Sequence, residues 1–206
     1  MLIGMMNTIG EYLIVGLITM ILLSLLYFIG YYFIYKRIFR GNKYIDIKKA
    51  FIIKAFIAYI LMVLFATLFG RFSDTLGGIN FELFSSYKRA FSTSSIFLWR
   101  DIALNILMFI PLGLLLPLLS KVFYKPYFTL LLSFSLTLGI EIVQLTTKIG
   151  AFDVDDIFNN FLGAVIGYCI IMAILSASSK NKHKIRNTLL YIITLFLVIT
   201  VFSSFL

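Results

Sequence analysis

A chain of 206 residues that is 61% hydrophobic and only 13% charged, with mean hydropathy +1.02, is far from soluble composition. Soluble domains are about half apolar and a quarter charged, so these numbers exclude one and place the chain in a bilayer. The net charge of +9 does not indicate nucleic acid, because Lys and Arg fall between apolar runs rather than along one face.

A helix needs about 20 apolar residues to cross the hydrocarbon core. Six stretches qualify: Tyr12–Tyr35, Ala50–Phe69, Ile102–Leu119, Tyr127–Thr147, Ile157–Ser176 and Leu189–Leu206. Their length argues for helices over barrel strands, which run about 10 residues with alternating polarity. The expected fold is therefore an all-α integral membrane protein, a single bundle of about six transmembrane helices. The third and last stretches are short and are expected to tilt little or be partly re-entrant. The first has no basic start and no Ala-x-Ala exit, so it reads as a retained span rather than a cleaved signal.

Orientation follows from the basic residues. The loops after spans one, three and five hold Lys36, Arg37, Arg40, Lys43, Lys48, Lys49, Lys121, Lys125, Lys180, Lys182, Lys184 and Arg186. The opposite side holds Arg71, Lys88, Arg89, Arg100 and Lys148, with most of the acids. The positive-inside rule then makes both termini non-cytoplasmic. Lys54, about one turn into span two, is expected to snorkel back to the cytoplasmic headgroups. The organisation read from this is two helices with a basic cytoplasmic loop (1–69), a core of outer loop plus three helices (70–176), and a basic loop with a final helix (177–206). In the outer loop, Gly77-Gly78 marks a turn. The stretches Ile79–Phe84 and Ser92–Leu98 are apolar enough to lie at the interface or fold back onto the bundle. Trp99, the single Trp, is expected at a membrane boundary.

Against this apolar background the polar residues stand out in three clusters. Asp101 and Asn105 open span three, Glu141 and Gln144 lie near the end of span four, and Asp153, Asp155, Asp156 and Asn160 open span five. On the predicted topology all three fall on the non-cytoplasmic side and form one polar, ligand-binding pocket, together with Arg100. Glu141, about 9 Å in from its helix end, is the costliest. It must face a polar cavity, pair with a cation or stay protonated. Asp101 and Asp156 read as helix caps at least in part. The Asn one turn beyond each is not explained by capping, and Asp-x-x-x-Asn occurring twice hints at an internal duplication. Asp153, Asp155 and Asp156 form either a solvated acidic turn or a weak divalent-cation site, the one cofactor the sequence suggests. Lys148 and Arg100 offer neutralising partners or a grip on an anionic headgroup. Pro111 removes a backbone hydrogen bond and bends span three, while Gly113, Gly163 and Gly167 permit close helix approach. Cys169 lies deep in an apolar run and His183 in a basic loop, so neither suits a disulfide or a zinc site. No serine elbow, zinc helix or phosphate loop is present.

These elements resemble the VanZ-like family of bacterial membrane proteins, named for a component of glycopeptide-resistance clusters linked to teicoplanin resistance. The resemblance runs from about Ile79 to Tyr168 through Arg100-Asp101, Asn105, Phe109-Ile-Pro111-Leu-Gly113, Glu141 with Gln144, and Asp153-x-x-Asp156-x-x-x-Asn160-x-x-Gly163. Many members carry Arg where Ala151 follows Gly150, and Asn80-Phe-Glu82-Leu-Phe84 lacks a proline found in the family element it resembles. The resemblance implies a multi-pass protein of the bacterial cytoplasmic membrane tied to lipoglycopeptide susceptibility. Three functions fit: binding or changing access to an envelope amphiphile such as a lipid-linked wall precursor, an anionic lipid or a lipoglycopeptide; enzymatic modification of a lipid-linked substrate, with Glu141 as acid/base; or proton-coupled transport.

Overall fold

The computed structural model describes residues 46–68 and 78–177, together with residue 191 and scattered positions between 10 and 31. Most of the predicted spans one and six, and the basic loops at 36–45 and 178–190, lie outside the described residues. The chain divides into two compact units, Leu2–Gly70 and Arg71–Leu206.

The first unit contains helix α1, Ile47–Leu68. Asp46 opens it, accepting the Lys49 backbone N–H at 3.1 Å, as a helix cap does. Lys54 does not snorkel outward. Its ammonium donates to Ser24 Oγ at 3.1 Å and lies 5.5 Å from the centre of the Tyr27 ring. An internal hydroxyl and an aromatic face thus take the place of headgroup water.

In the second unit the described elements run β1 (Ile79–Asn80), α2 (Ser85–Ser92), α3 (Ile96–Leu119), a 3-10 turn (Lys121–Tyr124), α4 (Pro126–Thr147), β2 (Phe152–Asp153) and α5 (Val154–Ala177). With α1, the helices α3, α4 and α5 are the four described ones long and apolar enough to cross a membrane. The described structure is all-α apart from one two-residue parallel pair, with Ile79 opposite Phe152 and Asn80 opposite Asp153. The loop stretch after Gly78 therefore folds back onto the helices.

The third span is not short. α3 starts at Ile96, six positions before the predicted Ile102, and runs 24 residues. Arg100-Asp101 looks like a boundary in sequence, but the two side chains pair with each other at the surface and let the helix pass through. Asp101 consequently sits in the second turn and caps nothing. α3 also continues through Pro111 and Pro117. Each lacks the N–H that would meet the carbonyl four residues back, Leu107 and Gly113.

α3 and α5 run in the same direction and touch backbone to backbone. A methyl group at Gly163 would lie 2.0 Å from the Ile106 carbonyl oxygen, one at Gly167 2.0 Å from that of Ile110, and one at Gly113 2.1 Å from that of Ala164. Without a solvent-driven force between lipid-immersed helices, such close approach is what gives dispersion its effect. Phe109, Leu112, Leu116 and Ala164 fill this contact and are fully buried. At the far end, Tyr168 donates its hydroxyl to the Tyr124 carbonyl at 2.6 Å, tying α5 to the 3-10 turn.

Candidate functional site

Where α3 and α5 begin and α4 ends, the polar residues converge. β2 and the first turn of α5 organise them. Asp153 is the N-cap of α5: its Oδ1 accepts the Asp155 N–H at 2.8 Å, and its Oδ2 accepts Asn80 Nδ2 at 3.2 Å. The cap predicted for Asp156 therefore belongs to Asp153, because α5 starts at Val154 rather than Ile157. Asp156, one position further into the turn than Asp155, instead accepts from Asn105 Nδ2 and so links α5 to α3. Asp155 is fully buried and reaches across to α2. Its Oδ1 accepts the Phe84 N–H at 2.5 Å, and its Oδ2 accepts the Ser86 N–H at 2.7 Å and the Ser85 hydroxyl at 3.3 Å.

Glu141 is 1% exposed on α4, and its Oε2 accepts the Asp153 backbone N–H at 3.0 Å. The buried carboxylate is thus spent on fixing β2, the strand that carries the cap. Gln144, equally buried, lies under Gly150 in the turn between α4 and β2. Asn160 donates to Thr137 Oγ1 at 2.9 Å, joining α5 to α4, while its Oδ1 has no partner among the described residues although Asn160 is 2% exposed. The neighbouring Asn159 accepts from the Tyr87 hydroxyl of α2, and its Nδ2 has no partner among the described residues.

Of the residues singled out from the sequence, Asn105 and Asp156 share a bond, as do Glu141 and Asp153. Asn160 and Gln144 are buried on the faces α5 and α4 present in the same region. Arg100 and Asp101 are not part of this buried group: they bond each other at 3.1 and 3.2 Å on the surface. The two Asp-x-x-x-Asn copies are therefore not equivalent, since Asp101 is exposed and Asn105 binds the aspartate of the other copy. Lys148, in the left-handed region at φ 57, ends α4 and is exposed. The three aspartates at 153–156 turn to different partners. No group of three or more His, Cys, Asp or Glu suited to a metal ion occurs among the described residues.

The sequence did not point to Asn80, Ser85, Tyr87, Thr137 and Asn159 as partners in this group, and offered Asp155 only as part of a solvated acidic turn or a cation site. One signal was available. Thr129, Ser133, Thr137 and Glu141 recur every fourth residue, and all four are buried on one face of α4. Ser133 bonds back to the Thr129 carbonyl, and Thr129 to that of Phe123, both at 2.8 Å.

Electrostatics at the loop end are governed by burial. Burial pushes the Asp153 carboxyl above its usual range, against the hydrogen bonds from Asp155 and Asn80, and the nearby Asp156 and Asp155 charges push the same way as burial. Burial, then the Asp155 and Asp156 charges, raise the Tyr87 phenol and keep it a donor. A raised acid in the folded state binds its proton more tightly than the unfolded chain does. Its contribution to stability is then full below the ordinary Asp value and is lost as pH rises through the raised one. Asp153→Asn, which can still cap, is expected to flatten the fall in melting temperature over that interval; an unchanged pH slope in detergent would count against this assignment.

Residues 51–176 match the family model VanZ/LLP1. The chain belongs to the VanZ/LLP1 family. The match runs from α1 to the last turn of α5 and so takes in every residue of the polar end. The chain is also similar to Protein VanZ of Enterococcus faecium, 29% identical over 142 residues, which is 68% of this chain and 84% of that protein. No solved structure matches it.

Proposed function

We propose that this VanZ/LLP1 member is a multi-pass protein of the bacterial cytoplasmic membrane that binds, or changes access to, an amphiphilic cell-envelope ligand, and that it lowers teicoplanin susceptibility. The reading has six spans with both termini outside, following the basic loops, so that the polar end faces outward. A lipid-linked wall precursor, an anionic lipid or a lipoglycopeptide has the required combination of acyl chain and polar head. The observation that carries the proposal is the meeting of Asn105, Glu141, Asp153, Asp156 and Asn160 from three helices within one end of a unit otherwise apolar. Buried polar groups in a membrane helix cost several kcal/mol, about 2.5–3.5 for a charge at mid-bilayer, and a purely structural helix contact does not require so many. Arg100 and Asp101, paired at the surface, form the rim.

The test is expression in a susceptible host. Teicoplanin susceptibility should fall with the parent chain and return when Glu141 or Asp156 is replaced by Ala at equal membrane abundance. Resistance that persists in both variants removes the role assigned to these carboxylates.

A further inference from the structure

Asn105, Glu141, Gln144 and Asn160 are each no more than 3% exposed, so a ligand reaches them only after something moves. The segment at 79–95 touches the buried group at two points. Asn80 bonds Asp153, whose own N–H is on Glu141, and Tyr87 bonds Asn159, beside Asn160. Tyr87 belongs to α2, a helix eight residues long and too short to hold its shape unaided. Its N-cap residue, Phe84, supplies no capping side chain and stands at φ 65; beyond its other end Ser94 stands at φ 48. Left-handed backbone at a non-glycine residue persists only where its surroundings impose it. At Phe84 the imposing group is Asp155, which takes the N–H of Phe84 itself and that of Ser86.

We propose that α2 is a lid over the polar end and that Asp155 is the positioning residue that latches it shut. Releasing the Asp155 carboxylate frees the first turn of α2, lets Phe84 leave the left-handed region, and swings Tyr87 off Asn159. The unpartnered Asn159 Nδ2 and Asn160 Oδ1 are then the first buried polar atoms an entering group meets. This rests on the polar end being a ligand site, but its test needs no ligand, so failure here leaves that reading standing.

Ile102 lies directly beneath α2, packed with Tyr87 and Ala90. Cys169, the one cysteine, is buried far down α5 and reports whether the whole unit has come apart. In full-length protein carrying Ile102→Cys, labelling by a charged, membrane-impermeant thiol reagent is expected to accelerate about tenfold or more when Asp155→Ala is added, with Cys169 still protected. Asp155→Asn, which retains one acceptor, should fall between. Trp99, the only Trp, contacts Phe91 of α2 at 5.0 Å, and its emission should shift to the red in step. Labelling of both thiols would make Asp155 a support of the entire unit, and labelling of neither would mean α2 stays shut without it; either result overturns the latch.

Discussion

Gly163→Ala should separate α3 from α5 and lower the melting temperature sharply, as the same change at Gly167 or Gly113 should. The new carbon would lie 2.0 Å from the carbonyl oxygen of Ile106, and the obstacle is backbone, which cannot rotate aside as a side chain does. Overpacking a core costs about 1–3 kcal/mol when side chains absorb it, so about 3 kcal/mol or more is expected here. Roughly 1 Å of helix separation would also thin the contacts of Phe109, Leu112 and Leu116 along the seam. Gly139→Ala is the matched control, because nothing lies within 4 Å of the methyl it would add to α4. Thermal unfolding in detergent, followed by loss of the monodisperse peak, compares the two. If Gly163→Ala melts with the parent, the backbone contact between α3 and α5 is wrong.

The second large effect is expected where α3 meets α5 through side chains. Interhelical hydrogen bonds in membranes average only about 0.6 kcal/mol, because the separated helices find other partners. A carboxylate acceptor raises the value, to about 1.5–3 kcal/mol for charged bonds in general. For Asn105 and Asp156, at the end of a span rather than its middle, a coupling of about 1–2 kcal/mol is expected. A double-mutant cycle of Asn105→Ala and Asp156→Ala, read by unfolding in detergent, isolates that pairwise contribution. Additive effects would mean that the two residues act separately and that the link between their helices is not energetic.

The sequence makes the spans legible because hydropathy depends on composition alone, and four of the predicted stretches reappear as α1, α3, α4 and α5 with ends shifted by up to six residues. The largest shift, at α3, arose because a charged pair in sequence signals a membrane boundary, whereas Arg100 and Asp101 neutralise each other along a continuing helix. The polar residues could be named for the same reason that the spans could: each is costly in a bilayer. Their partners could not. Capping by Asp153 instead of Asp156 turned on a shift of three residues in where α5 starts. The bonds of Asp155 to Phe84 and Ser86, and of Asn80 to Asp153, join positions about seventy apart, and no local periodicity encodes them. The hydroxyl series on α4 has a visible period, yet Thr and Ser carry so little hydropathy penalty that they do not stand out among leucines.

The same seventy-residue separation sets an order of events during synthesis. Residues 85–92 emerge early, but the carboxylate that closes their first turn is made only after α3 and α4 are complete. Until the start of α5 arrives, that short stretch has no reason to be helical. The first turn of α2 therefore cannot close until α5 has begun, and a nascent chain stalled before position 155 would carry α3 and α4 complete with that turn still unfastened.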